Sequence, residues 1–194
     1  MSDIYYKALS KKYFKQIIKL GNEVHGDGYL TDESIAQWAA LGIKNNVNCG
    51  YVALLNDNNK EKLIGFRITF AAENWQIDQW CTPSLWKIPK KQCCYFKCNT
   101  VDENFRGFGV GKELLQLSIN AAVQQGAKAG ISHLWKQSPS NSAVAYFTHC
   151  GGELIKLHPN KWNEDSKQGY CCILCGHDCH CDAAEMIVRF ESQL

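Results

Sequence analysis

Three glycines, Gly107, Gly109 and Gly111, alternate between Arg106 and Lys112. They stand where a β-patterned run ending at Val101 gives way to an amphipathic run over 113–125. Glycines ahead of a helix leave its first N–H groups bare, and those groups, with the positive end of the helix dipole, hold a diphosphate. Arg106 and Lys112 add fixed charge at the rim. A Walker A loop needs four residues between its glycines and then Lys-Ser or Lys-Thr. Here Gly107 and Gly111 enclose three residues, and Glu113 follows Lys112. A dinucleotide fingerprint needs Gly-x-Gly-x-x-Gly, but the spacing here is Gly-x-Gly-x-Gly. The loop is a phosphate grip of another kind, or a ligand-free glycine turn into a helix.

The second group able to do chemistry is the run Cys171-Cys172-Ile173-Leu174-Cys175-Gly176-His177-Asp178-Cys179-His180-Cys181. The chain has 11 cysteines in 194 residues, about 6%, which is below the level of a disulfide scaffold. Without an export signal the thiols are expected to be reduced, and a dense reduced cluster favours metal. Cys172 and Cys175 have knuckle spacing with Gly176 to turn the backbone, and Cys179 and Cys181 supply a second pair. Four thiolates surround one tetrahedral ion, for which zinc is the expected occupant, and leave it no open position for catalysis. Cys171, His177 and His180 are alternative ligands; an iron–sulfur cluster or metal-free thiols are alternative readings. The remaining cysteines, Cys49, Cys81, Cys93, Cys94, Cys98 and Cys150, read as core.

The elements that must position these groups follow from the patterning. Residues 4–9 read as a strand. Ser10 can cap a helix over 11–24, and Thr31 starts a second with Ile35, Trp38 and Leu41 on its apolar side. Residues 51–55 and 63–71 read as strands joined by a polar turn at 56–60. An aromatic connection over 73–91 carries Trp75, Trp80 and Trp86 and leads to a strand at 92–101. A helix over 113–125, a strand at 130–136, a helix at 142–149 and strands at 153–158 and 184–190 complete an α+β order, with the cysteines in a segment at 160–183.

With 45% hydrophobic residues the chain can bury one full core, so a single domain over 1–194 is expected. A net charge of +2 suggests neither a nucleic-acid nor an anionic-membrane surface. No apolar run reaches membrane-spanning length and no signal-peptide pattern opens the chain, so a cytoplasmic setting is expected.

Arg106, Gly109 and Gly111 match the Arg/Gln-x-x-Gly-x-Gly/Ala loop that grips coenzyme A in the GNAT N-acetyltransferases. The chain resembles that family over most of its length, most clearly over 95–154. Val101 matches the family's strand before the loop, where Asn99 and Glu103 depart, while Ala143, Phe147 and Gly151 keep the spacing of its later helix. The resemblance implies a GNAT fold whose two central parallel strands splay to admit the pantetheine arm. It implies acetyl-CoA held by Asn99, Val101, Arg106, Gly107, Phe108, Gly109, Val110, Gly111 and Lys112. It also places the Cys-rich insertion beside the acceptor end of the cleft.

The expected reaction is direct attack of a small-molecule or peptide primary amine on the thioester. Many relatives have a tyrosine acid where this chain has Phe147; Tyr146 is adjacent but turned about 100° around a helix. No carboxylate stands on the strand 92–101, which leaves Glu73, Asp78 or a water chain as base, while His133 and His149 read as packed or surface histidines. Asp27, Glu73 and Asp78 are expected to attract a protonated amine, and Trp75 or Trp80 to pack against it. The alternatives are a non-catalytic acyl-CoA-binding module with a zinc knuckle for a protein partner, and a thiol redox or metal sensor.

Overall fold

The computed structural model describes residues 4–57 and 60–190. Its first half runs β1 (Ile4–Ala8), α1 (Phe14–His25), α2 (Asp32–Leu41), a short pair β2 (Ile43–Lys44) and β3 (Val47–Asn48), then β4 (Tyr51–Asp57), β5 (Lys60–Phe70) and β6 (Cys93–Val101). The second half runs α3 (Val110–Gln124), β7 (Ala129–Trp135), α4 (Ser142–His149), β8 (Gly152–His158), α5 (Asn163–Lys167) and β9 (Ala183–Arg189). One seven-stranded sheet has the order β1-β4-β5-β6-β7-β9-β8, with only β6 and β7 parallel. This is the expected α+β GNAT architecture.

Central strand β5 is buried on both faces. Phe66 and Ile68 pack with Ile17 of α1 and Ile35 of α2, while Ile64 packs on the other face with Val110 and Leu114 of α3. Thr31 starts α2 as anticipated: its hydroxyl accepts from the Ser34 amide, and Ser34 Oγ accepts from the Thr31 amide.

Three boundaries differ from the sequence reading. Helix α3 starts at Val110 rather than 113, because Gly109 at φ 80° turns the chain directly into it. Ladder pairing of β4 with β5 extends to Asp57 and Lys60, so residues 56, 57 and 60 belong to strands; residues 58 and 59 lie outside the described residues. The pair β2–β3 and helix α5 were not anticipated.

The feature that positions the site is the divergence of β6 and β7. They pair only through Cys93–Ala129, Cys94–Gly130 and Tyr95–Ile131. Ser132 Oγ donates to the Phe96 carbonyl at 2.9 Å, and beyond it β6 pairs only with β5 and β7 only with β9. Gly130 is required at this apex, since a Cβ there would lie 2.1 Å from the Phe96 ring. A bulge then leaves Lys97 as an unpaired extra residue on β6, between Phe96 opposite Thr69 and Cys98 opposite Ile68.

Candidate active site

The two diverging strands open into a cleft of about 1710 Å³. One end is the glycine loop. Gly107 and Gly109 have φ of 82° and 80°, and a Cβ at either would meet nothing within 4 Å. Both are therefore glycine for backbone conformation, and the space around them is open. The Val110, Gly111 and Lys112 amides belong to the first turn of α3 and have no carbonyl one turn back to bond. Arg106 Nε donates to the Val101 carbonyl at 3.2 Å, holding the arginine against the strand end. Asn99, Val101, Arg106, Gly107, Gly109, Val110, Gly111 and Lys112 all line the cleft. Phe108 does not: it is 73% exposed on the outer side of the loop.

Helix α4 closes the same face. Phe147 is fully buried against Phe96, with ring centroids 5.9 Å apart. One position earlier, Tyr146 turns into the cleft, where its hydroxyl donates to the Gly111 carbonyl at 2.7 Å and accepts from Arg67 Nη2 at 3.2 Å. Burial raises the Tyr146 pKa, and the neighbouring Arg67 charge opposes that rise. Arg67 is 2% exposed, stacks over the Phe96 ring and leaves its Nε without a partner; Asn99 Oδ1 is likewise unpartnered.

The far wall comes from the α1–α2 turn, the connection between β5 and β6, and the Cys-rich insertion. His25 Nε2 meets Thr100 Oγ1 at 2.9 Å, and burial, followed by the Arg106 charge, lowers its pKa to about 4. His133 Nε2 lies 2.6 Å from the Trp80 carbonyl, which only an N–H can satisfy, so Nδ1 accepts from Tyr95 Oη at 3.0 Å. Lys97 places its ammonium 4.3 Å from the Trp38 ring centroid. Lys161 Nζ lies 3.8 Å from Asp78 Oδ2 and over the Trp80 ring.

One expectation for this wall is corrected. Glu73 does not line the cleft: it sits in a left-handed turn at φ 74°, and Lys44 holds its exposed carboxylate outside. Trp75 lines the cleft with the small part of its ring that is not buried, being 5% exposed and donating through Nε1 to the Cys93 carbonyl at 2.9 Å. Asp78 does line the cleft, although its Oδ1 accepts from the Trp80 amide and the Cys81 thiol.

The insertion folds around its cysteines. Cys172 and Gly176 exchange backbone hydrogen bonds at 2.9 and 2.8 Å, closing the Cys172–Cys175 knuckle, and Gly176 has φ 67°. The sulfurs of Cys172, Cys175, Cys179 and Cys181 all lie within 4.8 Å of one another. Trp135, Trp162 and Tyr170 pack around them. The knuckle is docked on the α1–α2 turn: the Cys171 amide donates to the Asp27 carbonyl at 3.0 Å, and the Tyr170 hydroxyl to the His25 carbonyl at 2.9 Å. Gly26 makes this contact possible, since a Cβ there would lie 1.9 Å from the Cys171 carbonyl oxygen.

A family model for the acetyltransferase (GNAT) family matches residues 12–152. The chain belongs to the GNAT acetyltransferase family. Solved structures share the GNAT fold at low identity. Ard1 from Thermoplasma volcanium matches with a TM-score of 0.67 at 13% identity, covering 96% of this chain and 97% of that one. The structure of yncA from Salmonella typhimurium with its cofactor acetyl-CoA gives 0.65 at 14%, covering 100% and 97%. Arabidopsis thaliana Naa50 in complex with the bisubstrate analogue CoA-Ac-MVNAL gives 0.64 at 18%, covering 96% and 99%. No curated protein sequence matches this GNAT chain.

Within this GNAT cleft, sequence reasoning missed Arg67, Lys97 and Lys161. Arg67 carried a signal, as a lone charge inside the apolar run 63–71. Lys97 and Lys161 carried none, because a bulge and the packing of an inserted segment decide where they point.

Proposed function

We propose that this GNAT protein transfers the acetyl group of acetyl-CoA to a primary amine by direct attack on the thioester. The observation that carries the reading is the open glycine cradle at the start of α3, continuous with the splay between β6 and β7. The cradle suits the diphosphate: bare amides of the first α3 turn, with Arg106 and Lys112 beside them, hold anionic oxygens. Acetyl-CoA supplies an activated acyl group on a thiol leaving group. Past Tyr95, backbone groups on the splayed edge of β6 have no strand partner and are available to line the pantetheine arm and polarise the acetyl carbonyl near Asn99 and Val101. Tyr146 is the protein group placed to give a proton to the departing thiolate, passing it from a hydroxyl now bonded to Gly111. Asp78 and water are the candidates for taking the amine proton.

The acceptor enters from the wall opposite the cradle, as a small-molecule or peptide amine. Peptide acceptors are in keeping with fold neighbours such as Naa50 with its bisubstrate analogue. The whole chain acts as one domain, with 160–183 inserted into it, in a cytoplasmic setting that keeps thiols reduced.

Cys172, Cys175, Cys179 and Cys181 hold one structural zinc ion in this reading. A tetrahedron with Zn–S bonds of about 2.3 Å has edges of about 3.8 Å, and the Cys175 and Cys181 sulfurs lie 3.7 Å apart. Four thiolates complete the shell, so the ion stiffens the acceptor wall and takes no part in the chemistry.

The test is amine-dependent release of free CoA from acetyl-CoA across an amine panel, with mass spectrometry of the product. Acetyl-CoA binding without CoA release for any amine would leave a non-catalytic acyl-CoA-binding module.

A further inference from the structure

The far wall of the cleft carries two cations, and among the described residues no carboxylate reaches either at hydrogen-bond length. Lys97, the unpaired bulge residue at the mouth of the splay, points its ammonium at the Trp38 ring and has no carboxylate within 4 Å among the described residues. Lys161 has an 11% exposed side chain, and the carboxylate paired with it, Asp78, stands off at 3.8 Å, beyond hydrogen-bond length. Asp78 already accepts from the Trp80 amide at 2.9 Å and the Cys81 thiol at 3.4 Å. The other acid of this wall, Asp165, is exposed to solvent, and both histidines beside it, His25 and His133, are held neutral by burial down to about pH 4. Burial lowers the pKa of both lysines, the Lys161 charge lowers that of Lys97 further, and Asp78 and Asp165 offset only part of the shift in each. Both lysines line the same cleft, and an anion bound there would offset the cost of keeping two ammonium groups partly desolvated.

We infer that the acceptor is an amine that also bears a carboxylate, bound with that carboxylate between Lys97 and Lys161. This deepens the proposed acetyl transfer and rests on it for the identity of the reacting group. The same arrangement serves the chemistry in a second way. A cationic wall disfavours the ammonium form of the incoming amine, and only the neutral amine attacks a thioester. An acidic wall of the kind expected from Asp27, Glu73 and Asp78 would do the reverse. The carboxylate belongs either to a free amino acid or to an acidic first residue of a peptide.

Product analogues test the inference without turnover. Calorimetry of the CoA-saturated protein compares N-acetylaspartate and acetyl-Asp-Ala-amide with neutral N-acetylasparagine amide and cationic Nα-acetyl-lysine amide. At least one anionic analogue is expected to bind about tenfold or more tighter than the neutral one, and which one does separates amino acid from peptide. Lys97→Met and Lys161→Met should each erode that preference, with Lys161→Arg retaining it. The inference is overturned if no anionic analogue binds, if the neutral or cationic analogue binds as tightly, or if the preference survives in the double methionine variant. Turnover confined to neutral or cationic amines would also refute it and leave acetyl transfer standing. Anion-selective binding with no amine-dependent CoA release would refute acetyl transfer and leave the anion site standing.

Discussion

Tyr146 donates to the carbonyl of Gly111 at 2.7 Å, which ties α4 to the first turn of α3, the helix that follows the glycine loop. The same hydroxyl is the one polar partner that the buried Arg67 guanidinium has among the described side chains. Tyr146 is thus a brace and, in the proposed reaction, the donor of a proton to the departing thiolate. Tyr146→Phe should lower thermal stability, because a buried cation loses its acceptor at a cost of about 1–3 kcal/mol. If it also serves as the acid, kcat at neutral pH should fall by roughly 10²-fold or more. That loss should shrink only as pH rises past the Tyr146 pKa, which burial raises, because the wild-type hydroxyl then has no proton to give. A kcat–pH profile of the variant distinguishes this from a brace alone, for which the loss is independent of pH.

Gly109 combines a φ of 80° with an open surrounding space. Gly109→Asp forces a non-glycine residue into the left-handed region and puts a negative charge at the N-terminus of α3. Calorimetry should show acetyl-CoA affinity reduced by about tenfold or more, while the fold, checked by circular dichroism, persists. Unchanged affinity in the folded variant would remove the cradle from the proposed site.

Protein purified under reducing conditions without a metal-binding tag should contain one zinc per chain. Cys175→Ala should lose it, and chelation should lower the melting temperature, since an ion present at 1,000-fold over its dissociation constant contributes about 4 kcal/mol. Elemental analysis that finds no metal would count decisively against the zinc reading. The knuckle's hydrogen bonds to Asp27 and His25 make a further readout available: metal loss should weaken acceptor binding more than CoA binding.

Burial, and then the Lys161 charge, bring the pKa of His133 down from 6.5 to about 4. Between those values the unfolded chain holds a proton that the folded chain does not, so stability rises with pH across the window. The contribution is complete above pH 6.5 and is lost as pH falls to about 4, on the order of 3 kcal/mol. His25 contributes a similar slope over the same window, so urea denaturation from pH 4 to 8 should show the sum, and His133→Gln should remove about half of it.

Wherever a local conformation depends on neighbours along the chain, the sequence alone was sufficient. Gly107, Gly109 and Gly111 announced the cradle because positive φ and bare helix amides are local backbone requirements. The Cys172–Cys175 knuckle followed from spacing for the same reason, as did the Thr31 cap of α2. Periodicity was enough to order the strands and helices, because it reports which face of each element is apolar. It placed helix α3 three residues late, since a glycine-led first turn has no amphipathic pattern to read.

What only the tertiary structure decided is which side chains share the cleft. Arg67 meets Tyr146 because β5 turns that residue toward the α3–α4 face, and Tyr146 rather than Phe147 reaches the cleft through the rotation of α4. Lys97 reaches the acceptor wall through a bulge in β6, where one unpaired residue redirects the side chains that follow. Lys161 reaches it because Cys171 and Tyr170 dock their segment on the turn at Asp27 and His25. These are contacts between residues far apart in the chain. They depend on strand pairing, bulges and docking of an inserted loop, which local sequence does not encode residue by residue.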